Sequence, residues 1–475
     1  YQEIINDYKS SPEVFSNFAI CAYQIGQYEL AEELFQQAIA CIKSINFSND
    51  TRQALKQKIS QTYAVLLYNH GCEIARSIII ADQLRAIDLF LVASNYNPND
   101  YKLFYNIACC YINIDRLTDG IEYLHKTLAL NPHHTQAHFA LSQYYQQNNN
   151  LNLAQEHLDK SLSSQTHYQF IAEYNYGVLE YQRGHFQQAL EHYLKSYQLN
   201  PQSFATCYNI GSLYQKIKQN SLAIEYYTKA LIINPEDEIC KYLIAALSSE
   251  NIPQQAPNSY IENLFDHYAP DFDHELTTNL NYKTPELLYN LFSKHWSTNN
   301  ISILDLGCGT GLIGERFKSI SNALIGVDIS QKMLDIAESK NIYNNLIKSD
   351  IEDYLESNNK LYDLIILGDV LVYYGDLNNL FTKIKNNLAS NGYVLFSIEL
   401  MEQIEQSNLD KDFILNTTGR YQHSSSYLDS VVNQNFKIIE SVETSIRTQD
   451  NNPVVGRVVL LQGSNSYPPL PRGGG

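Results

Sequence analysis

The chain has 475 residues, enough for two or three domains that each bury a core. Its formal net charge of −18 disfavours non-specific binding to nucleic acid and to anionic membrane surfaces, because both are negatively charged. No apolar run approaches the roughly 18 residues of a membrane span, and no signal peptide is visible. The eight cysteines show neither a Cys-x-x-Cys pair nor a zinc spacing, so we expect reduced thiols in a cytoplasmic protein without a metal site.

Four Asn-Pro pairs reveal a repeat in the N-terminal half of the chain. Their prolines lie 34, 69 and 34 residues apart, and 69 is close to two periods of 34: Pro98, Pro132, Pro201 and Pro235. A 34-residue period of paired helices is typical of tetratricopeptide repeats. We therefore predict about six such repeats within residues 1–247, closed by a helix around residues 238–247.

Stacked tetratricopeptide repeats form a superhelix whose concave groove usually binds a protein or peptide. The array therefore predicts a protein partner. Residues 248–259 are polar and contain prolines, which predicts a linker. Residues 260–464 would then form a second domain, and residues 465–475 a flexible tail.

A short apolar run in the second half, Ile301–Leu306, is typical of a buried parallel strand. It leads into Gly307, Gly309 and Gly311, after which helical spacing resumes at Leu312. A strand that turns through glycines into a helix brings backbone N–H groups close to a ligand. The spacing Asp-x-Gly-x-Gly-x-Gly, which starts at Asp305, differs from the Gly-x-Gly-x-x-Gly of pyrophosphate sites.

The next apolar run ends at Asp328, about 20 residues after the glycines. An acidic residue at this place can accept hydrogen bonds from both hydroxyl groups of a ribose. The two features together predict a nucleoside ligand without a phosphate bridge.

This combination resembles the class I S-adenosylmethionine-dependent methyltransferases. The resemblance implies S-adenosylmethionine as cofactor and a seven-stranded sheet with one reversed strand. The alternating apolar residues of 436–445 and 454–461 suit the terminal hairpin of such a sheet. The predicted fold class is thus an all-α tetratricopeptide superhelix followed by an α/β Rossmann-like seven-stranded methyltransferase domain.

The resemblance also suggests further cofactor contacts. Tyr268 is a candidate contact to the cofactor carboxylate, although its aromatic helix face could instead pack on the fold. Ile329 and Met333 could cover the adenine or belong to the core. Asp350 would accept a hydrogen bond from the adenine amino group, while the N–H of Ile351 would donate to a ring nitrogen. A simple helix N-cap is the alternative for Asp350.

The fourth strand places Gly368, a further candidate cofactor contact, and Asp369 at its carboxyl end, where open α/β sheets hold their chemistry. The Asn-Pro-Pro-Tyr pattern of enzymes that methylate amides and exocyclic amines is absent, which argues against DNA, RNA-base and glutamine acceptors. In the stretch after the fifth strand, His423 is the candidate general base, with Asp369 next, and Tyr421 and Arg420 would shape the acceptor pocket. An arginine there would suit a carboxylate acceptor. A structural hydrogen-bonding role is the alternative for His423.

The motif Gly-Asp-Val-Leu-Val-Tyr at residue 368 and the stretches 418–424 and 446–456 look like the bacterial group called TPR-repeat-containing predicted methyltransferases. The resemblance fixes no substrate, and three functions stay open. The repeats could recruit a protein substrate, or they could serve assembly while the enzyme methylates a small carboxylate. The third function, a non-catalytic scaffold, is disfavoured by the intact glycine motif and its acidic partners.

Overall fold

The computed structural model describes residues 11–44, 48–161, 169–274, 276, 282–296, 299–401, 411–449 and 452–464. The chain divides into two compact units, residues 1–201 and 202–475. The predicted tail, residues 465–475, lies outside the described residues. In the described part of the chain, no helix is both long and apolar enough to cross a membrane.

Consecutive helices of the first unit pack against each other in pairs. Its described residues form the helices α1 Pro12–Gln24, α2 Tyr28–Ser44, α3 Asn49–Ile74, α4 Ile80–Tyr96, α5 Tyr101–Asn113, α6 Leu117–Leu130, α7 Thr135–Gln147, α8 Leu151–Ser161, α9 Gln169–Gln182 and α10 Phe186–Leu199. Small residues allow this close packing. A Cβ atom at Gly177 in α9, for example, would lie 2.5 Å from the ring of Tyr193 in α10. The repeat period therefore reflects the positions at which one helix needs a small residue and its partner helix a large one.

The second unit begins with a sixth helix pair, as the repeat pattern predicts, and continues into an α/β fold. Its helices are α11 Phe204–Lys216, α12 Asn220–Ile233, α13 Glu238–Ser248, α14 Asn258–Tyr268, α15 Phe272–His274, α16 Thr284–Ser293, α17 Leu312–Phe317, α18 Gln331–Ser339, α19 Ile351–Ser357, α20 Asn378–Asn386 and α21 Ser425–Val432. Short 3₁₀ turns lie at Ala269–Asp271, Lys318–Ile320 and Leu371–Tyr373.

Seven strands form one sheet in the order β3-β2-β1-β4-β5-β9-β8. The strands are β1 Ile301–Leu306, β2 Ser321–Asp328, β3 Asn345–Lys348, β4 Tyr362–Leu367, β5 Leu388–Glu399, β8 Phe436–Gln449 and β9 Asn452–Gly463, while β6 Phe413–Leu415 and β7 Tyr421–His423 pair separately. The first five strands run parallel, and β9 is antiparallel to both β5 and β8. The Rossmann-like sheet with one reversed strand is confirmed.

The segment predicted as a linker is an irregular loop, but it is packed onto the α/β fold. The N–H of Ala256 donates to the carbonyl of Tyr373 at 2.8 Å, and the carbonyl of Gln254 accepts the N–H groups of Gly375 and Asp376 at 2.7 and 3.0 Å. Ala256 is buried in the same apolar core as Tyr242 of α13. The compact units divide at residue 201. The domain boundary at residues 248–259 stays a prediction, and composition alone could not reveal that this loop is packed.

Candidate active site

A cavity of about 690 Å³ opens at the carboxyl ends of the parallel strands. Cavities of roughly 300–1,000 Å³ suit small-molecule ligands and cofactors. The loops after β1, β2, β3 and β4 line it, together with residues of α14, the loop before β7 and strand β8. This is the edge of the sheet where open α/β folds bind ligands.

The glycine loop after β1 has a backbone that other residues would strain. Gly307, Gly309 and Gly311 have φ angles of 68°, 53° and 92°, in the left-handed region that favours glycine. A Cβ atom at Gly307 would also lie 2.4 Å from a methyl group of Val370. The N–H of Gly309 donates to Asp328 at 2.8 Å, so the loop is tied to the end of β2.

Asp328 ends β2 and lines the cavity while only 7% of its surface is exposed. Its Oδ1 accepts the N–H of Ser330 at 2.9 Å, and its Oδ2 accepts that of Gly309. Burial raises the pKa of Asp328, and these backbone N–H groups oppose the rise. Each carboxylate oxygen has two lone pairs, so Asp328 retains the capacity to accept ribose hydroxyls.

Four further predicted cofactor residues line the same cavity: Tyr268, Ile329, Asp350 and Ile351. Asp350 is also the N-cap of α19, where its Oδ1 accepts the N–H groups of Glu352 and Asp353 at 2.8 and 3.1 Å. The helix N-cap and the adenine contact predicted for Asp350 are therefore compatible. Apolar isoleucines beside an acidic cap and a ribose acceptor suit the adenine end of a nucleoside.

Three other predicted cofactor residues lie outside the cavity lining among the described residues: Asp305, Gly311 and Met333. Asp305 is fully buried, and its Oδ2 accepts the hydroxyl of Tyr343 at 2.7 Å. Gly311 is the N-cap residue that precedes α17, and a Cβ atom there would lie 3.1 Å from the ring of Tyr343. Met333 is fully buried in α18, which matches the alternative of core packing.

Because Asp305 is buried, we expect the free energy of unfolding of the protein to depend on pH. Burial raises the pKa of Asp305 to about 7, an effect that the Tyr343 hydroxyl opposes and the charge of Asp328 strengthens. In the unfolded chain the carboxyl titrates near 4. Its stabilising contribution is therefore complete below that value and is lost as the pH rises through about 7. The free energy of unfolding of Asp305→Asn, minus that of the parent, should therefore rise by about 2–3 kcal/mol from about pH 5 to about pH 8.

Urea unfolding at several pH values measures this gain. Asp363→Asn is the matched control, because that carboxylate accepts the N–H and hydroxyl of Ser302 at 2.9 and 2.8 Å near the start of β4. A difference between Asp305→Asn and the parent that stays constant with pH would contradict the assignment.

Gly368, predicted as a cofactor contact, and Asp369, predicted for catalysis, line the cavity directly after β4. Asp369 has a φ angle of 57°, and its Oδ1 accepts the hydroxyl of Ser397 at 2.8 Å. The hydroxyl of Thr284 donates to Oδ2 at 3.4 Å, and Tyr282 also hydrogen-bonds to this carboxylate. Sequence analysis missed Tyr282 and Thr284, because nothing in the segment before β1 indicates that it reaches the end of β4.

His423 and Tyr421, predicted for catalysis, are fully buried in β7 and lie outside the cavity lining in the described part of the chain. Nε2 of His423 is 3.1 Å from the carbonyl of Gly375, and burial lowers the pKa of the imidazole to about 4. The hydroxyl of Tyr421 donates to the carbonyl of Pro253 at 2.7 Å. The structure thus agrees with the structural alternative for His423 and gives Tyr421 a place in the core.

Arg420, the third residue of that predicted group, does line the cavity, and Arg447 lies beside it. Nη2 of Arg420 and Nη2 of Arg447 lie 2.7 and 2.8 Å from the same oxygen, Oε1 of Glu399. Burial would raise the pKa of Glu399, but the charges of the two arginines outweigh it and lower the pKa. A local motif could not have revealed Glu399 and Arg447, because they lie in different strands.

The parallel sheet, the glycine loop, and Asp328 and Asp350 at the cavity resemble a class I S-adenosylmethionine-dependent methyltransferase domain. Comparisons with known proteins agree. Residues 297–443 match the family model described as a methyltransferase domain, and residues 139–204 and 204–237 match tetratricopeptide repeat models. The chain therefore combines tetratricopeptide repeats with a methyltransferase domain, as its motifs suggested.

Several named proteins are similar to parts of the chain. A malonyl-[acyl-carrier protein] O-methyltransferase from Priestia megaterium is 32% identical over 23% of this chain and 41% of its own length. A protein of the same name from Ilyobacter polytropus is 30% identical over 31% and 58%. The chain thus spans about half the length of these relatives. The magnesium protoporphyrin IX methyltransferase of Synechocystis, with bound cofactor, is 15% identical over 44% of this chain and 97% of its own, with a TM-score of 0.34.

S-adenosylmethionine, when bound, supplies a methyl group on a positively charged sulfur. The residues of this chain have the complementary tasks. The glycine loop and Asp328 would hold the nucleoside, and Asp350 and the isoleucines would hold its adenine. Asp369 and Arg420, which also line the cavity, would border the acceptor. An in-line methyl transfer depends mainly on such alignment.

Proposed function

We propose that this protein transfers a methyl group from S-adenosylmethionine to an acceptor beside Asp369 and Arg420, and that its repeats recruit the protein that carries this acceptor. The observation that supports the reaction is a single cavity that contains both Asp328, at the nucleoside side, and Arg420, at the acceptor side. The repeats support the recruitment, because tetratricopeptide grooves usually bind proteins or peptides. None of the eight cysteines, all of which are described residues, forms a disulfide, in keeping with a cytoplasmic enzyme.

The names of two relatives favour an acceptor borne by a protein. Both malonyl-[acyl-carrier protein] O-methyltransferases are named for an oxygen of a group on a carrier protein. The same names also keep a second candidate open, in which the acceptor is a small acid and the repeats serve assembly. The arginines on the cavity wall would suit such an acid.

Labelling separates the two functions. The full-length protein is incubated with methyl-labelled S-adenosylmethionine and lysate of the source organism, and the products are separated by size. We expect label in macromolecules, because the repeats would deliver a protein-borne acceptor to the cavity. The same lysate incubated without the protein provides the background. Label confined to small molecules would support the second candidate, and label no higher than this background would contradict methyl transfer.

A further inference from the structure

A carboxylate on the cavity wall is held by three hydroxyl groups. Asp369 lines the cavity directly after β4. The hydroxyl of Ser397 donates to its Oδ1 at 2.8 Å, and that of Thr284 donates to its Oδ2 at 3.4 Å. Tyr282 hydrogen-bonds to the same carboxylate. The donors belong to β5 and to the start of α16, so two distant segments of the chain converge on one side chain.

The backbone of Asp369 is held in an uncommon conformation. Its φ angle is 57°, in the left-handed region that residues with a Cβ atom rarely adopt. Its N–H donates to Oγ of Ser397 at 2.8 Å, and Ser397 is fully buried in β5. Ser397 therefore fixes both the backbone and one carboxylate oxygen of Asp369. Strained residues of this kind cluster at active sites, where the surrounding structure maintains a geometry that the reaction needs.

Tyr282 differs from the other two donors because it also lines the cavity. Ser397 and Thr284 are fully buried and absent from the described cavity lining. Burial and the charge of Asp369 raise the pKa of Tyr282 well above its usual value, so the phenol keeps its proton and donates it to the carboxylate. A phenol oxygen also accepts hydrogen bonds. Tyr282 can thus accept a proton from a ligand in the cavity while its own proton passes to Asp369.

We propose that Tyr282 and Asp369 together remove the proton of a hydroxyl group that accepts the methyl group; this rests on the proposed methyl transfer. The acceptor oxygen forms the new C–O bond with the methyl carbon while the C–S bond breaks, and the electron pair of that bond stays on sulfur. The proton of the acceptor passes to the oxygen of Tyr282, and the proton of Tyr282 passes to Asp369. The products are a methyl ether, S-adenosylhomocysteine and a neutral Asp369, which then loses its proton to solvent.

The surroundings of Asp369 favour a hydroxyl over other acceptors. Arg420 lines the cavity and interacts electrostatically with Asp369, so a protonated amine at this place would meet a like charge. Arg420 and Arg447 share Glu399 as an ion-pair partner within the protein. A carboxylate acceptor has no proton to lose near neutral pH. A neutral hydroxyl avoids the like charge and needs a base, which Tyr282 and Asp369 would supply.

The pH dependence of methyl transfer tests the role of Tyr282. The full-length protein and Tyr282→Phe are incubated with saturating methyl-labelled S-adenosylmethionine in lysate of the source organism, and initial rates of labelling are measured at several pH values. Because Asp369 remains, we expect Tyr282→Phe to be slower by about tenfold or more near neutral pH. Its rate should rise by about tenfold per pH unit, since the acceptor must then lose its proton to hydroxide. Affinity for S-adenosylhomocysteine should stay close to that of the parent.

Two further variants complete this test. Tyr362→Phe is the matched control, because its hydroxyl hydrogen-bonds to that of Tyr354 at 2.6 Å and Tyr362 is absent from the described cavity lining. Asp369→Asn retains a residue type that tolerates a left-handed backbone, and it should show the same slow, pH-dependent labelling. A Tyr282→Phe protein with the parental rate or the parental pH dependence overturns the proposal. If Tyr282→Phe does not bind S-adenosylhomocysteine, Asp369→Asn is judged by the same criterion.

The chemical stability of the labelled product tests the acceptor. Methyl ethers withstand mild alkali and release volatile methyl iodide in hot hydriodic acid. Methyl esters release volatile methanol in alkali, and methyl groups on nitrogen resist both treatments. We expect label that withstands alkali and is released by hydriodic acid. Label that alkali releases, or that resists both treatments, overturns the hydroxyl acceptor and leaves methyl transfer intact, whereas label no higher than in lysate without the protein overturns both.

Discussion

Residues 260–475 expressed alone are expected to be insoluble or to unfold at a much lower urea concentration than residues 202–475. The shorter fragment lacks Tyr242 and Ala256, which are buried in the core of the methyltransferase fold. Loss of one large buried aromatic side chain typically costs about 3–5 kcal/mol. Because a domain is stable by only about 5–15 kcal/mol, this deletion should remove a large part of its stability.

Hydrogen bonds add to the effect of this deletion. The hydroxyl of Tyr242 donates to the carbonyl of Gly419 at 2.9 Å, and Nε2 of Gln215 in α11 donates to the carbonyl of Thr417 at 2.9 Å. The last repeat and the helix after it therefore hold the loop that carries Arg420.

Urea unfolding followed by circular dichroism compares the two fragments. Tyr242→Phe in residues 202–475 is the control, because it removes only the hydroxyl and should cost about 1 kcal/mol. Equal unfolding midpoints for the two fragments would show that the fold does not need residues 202–259. They would also support the domain boundary at residue 260 that composition predicted.

Asp328→Ala should weaken the binding of S-adenosylhomocysteine by about tenfold to a hundredfold. The carboxylate lines the cavity at the end of β2 and would accept hydrogen bonds from the ribose. A hydrogen bond to a charged group contributes about 1.5–3 kcal/mol, which corresponds to this range of affinity. Isothermal titration calorimetry measures the change.

Two further variants make the result specific. Asp328→Asn retains one oxygen for the N–H of Gly309 or Ser330 and should have a smaller effect than Asp328→Ala. Asp363→Ala removes a carboxylate that hydrogen-bonds to Ser302 and should leave the affinity unchanged. If Asp328→Ala folds and binds S-adenosylhomocysteine like the parent, Asp328 does not contact the cofactor.

The sequence by itself determined the features that depend on neighbouring residues or on a fixed period. The 34-residue spacing of Asn-Pro pairs identified the repeats, because each helix pair must meet the next with the same alternation of small and large residues. The glycine spacing after β1 identified the loop, because its positive φ angles admit few residues other than glycine. The prediction that Asp328 accepts ribose hydroxyls followed from its place at the end of the next apolar run.

Only the tertiary structure decided the features that join distant parts of the chain. Glu399 forms ion pairs with both Arg420 and Arg447, because β5 and the elements that carry the arginines converge at one wall of the cavity. His423 looked available for catalysis in a polar stretch, yet pairing of β6 with β7 turns it into the interior. Such contacts depend on how strands cross and pack over long separations, which no local pattern of residues encodes.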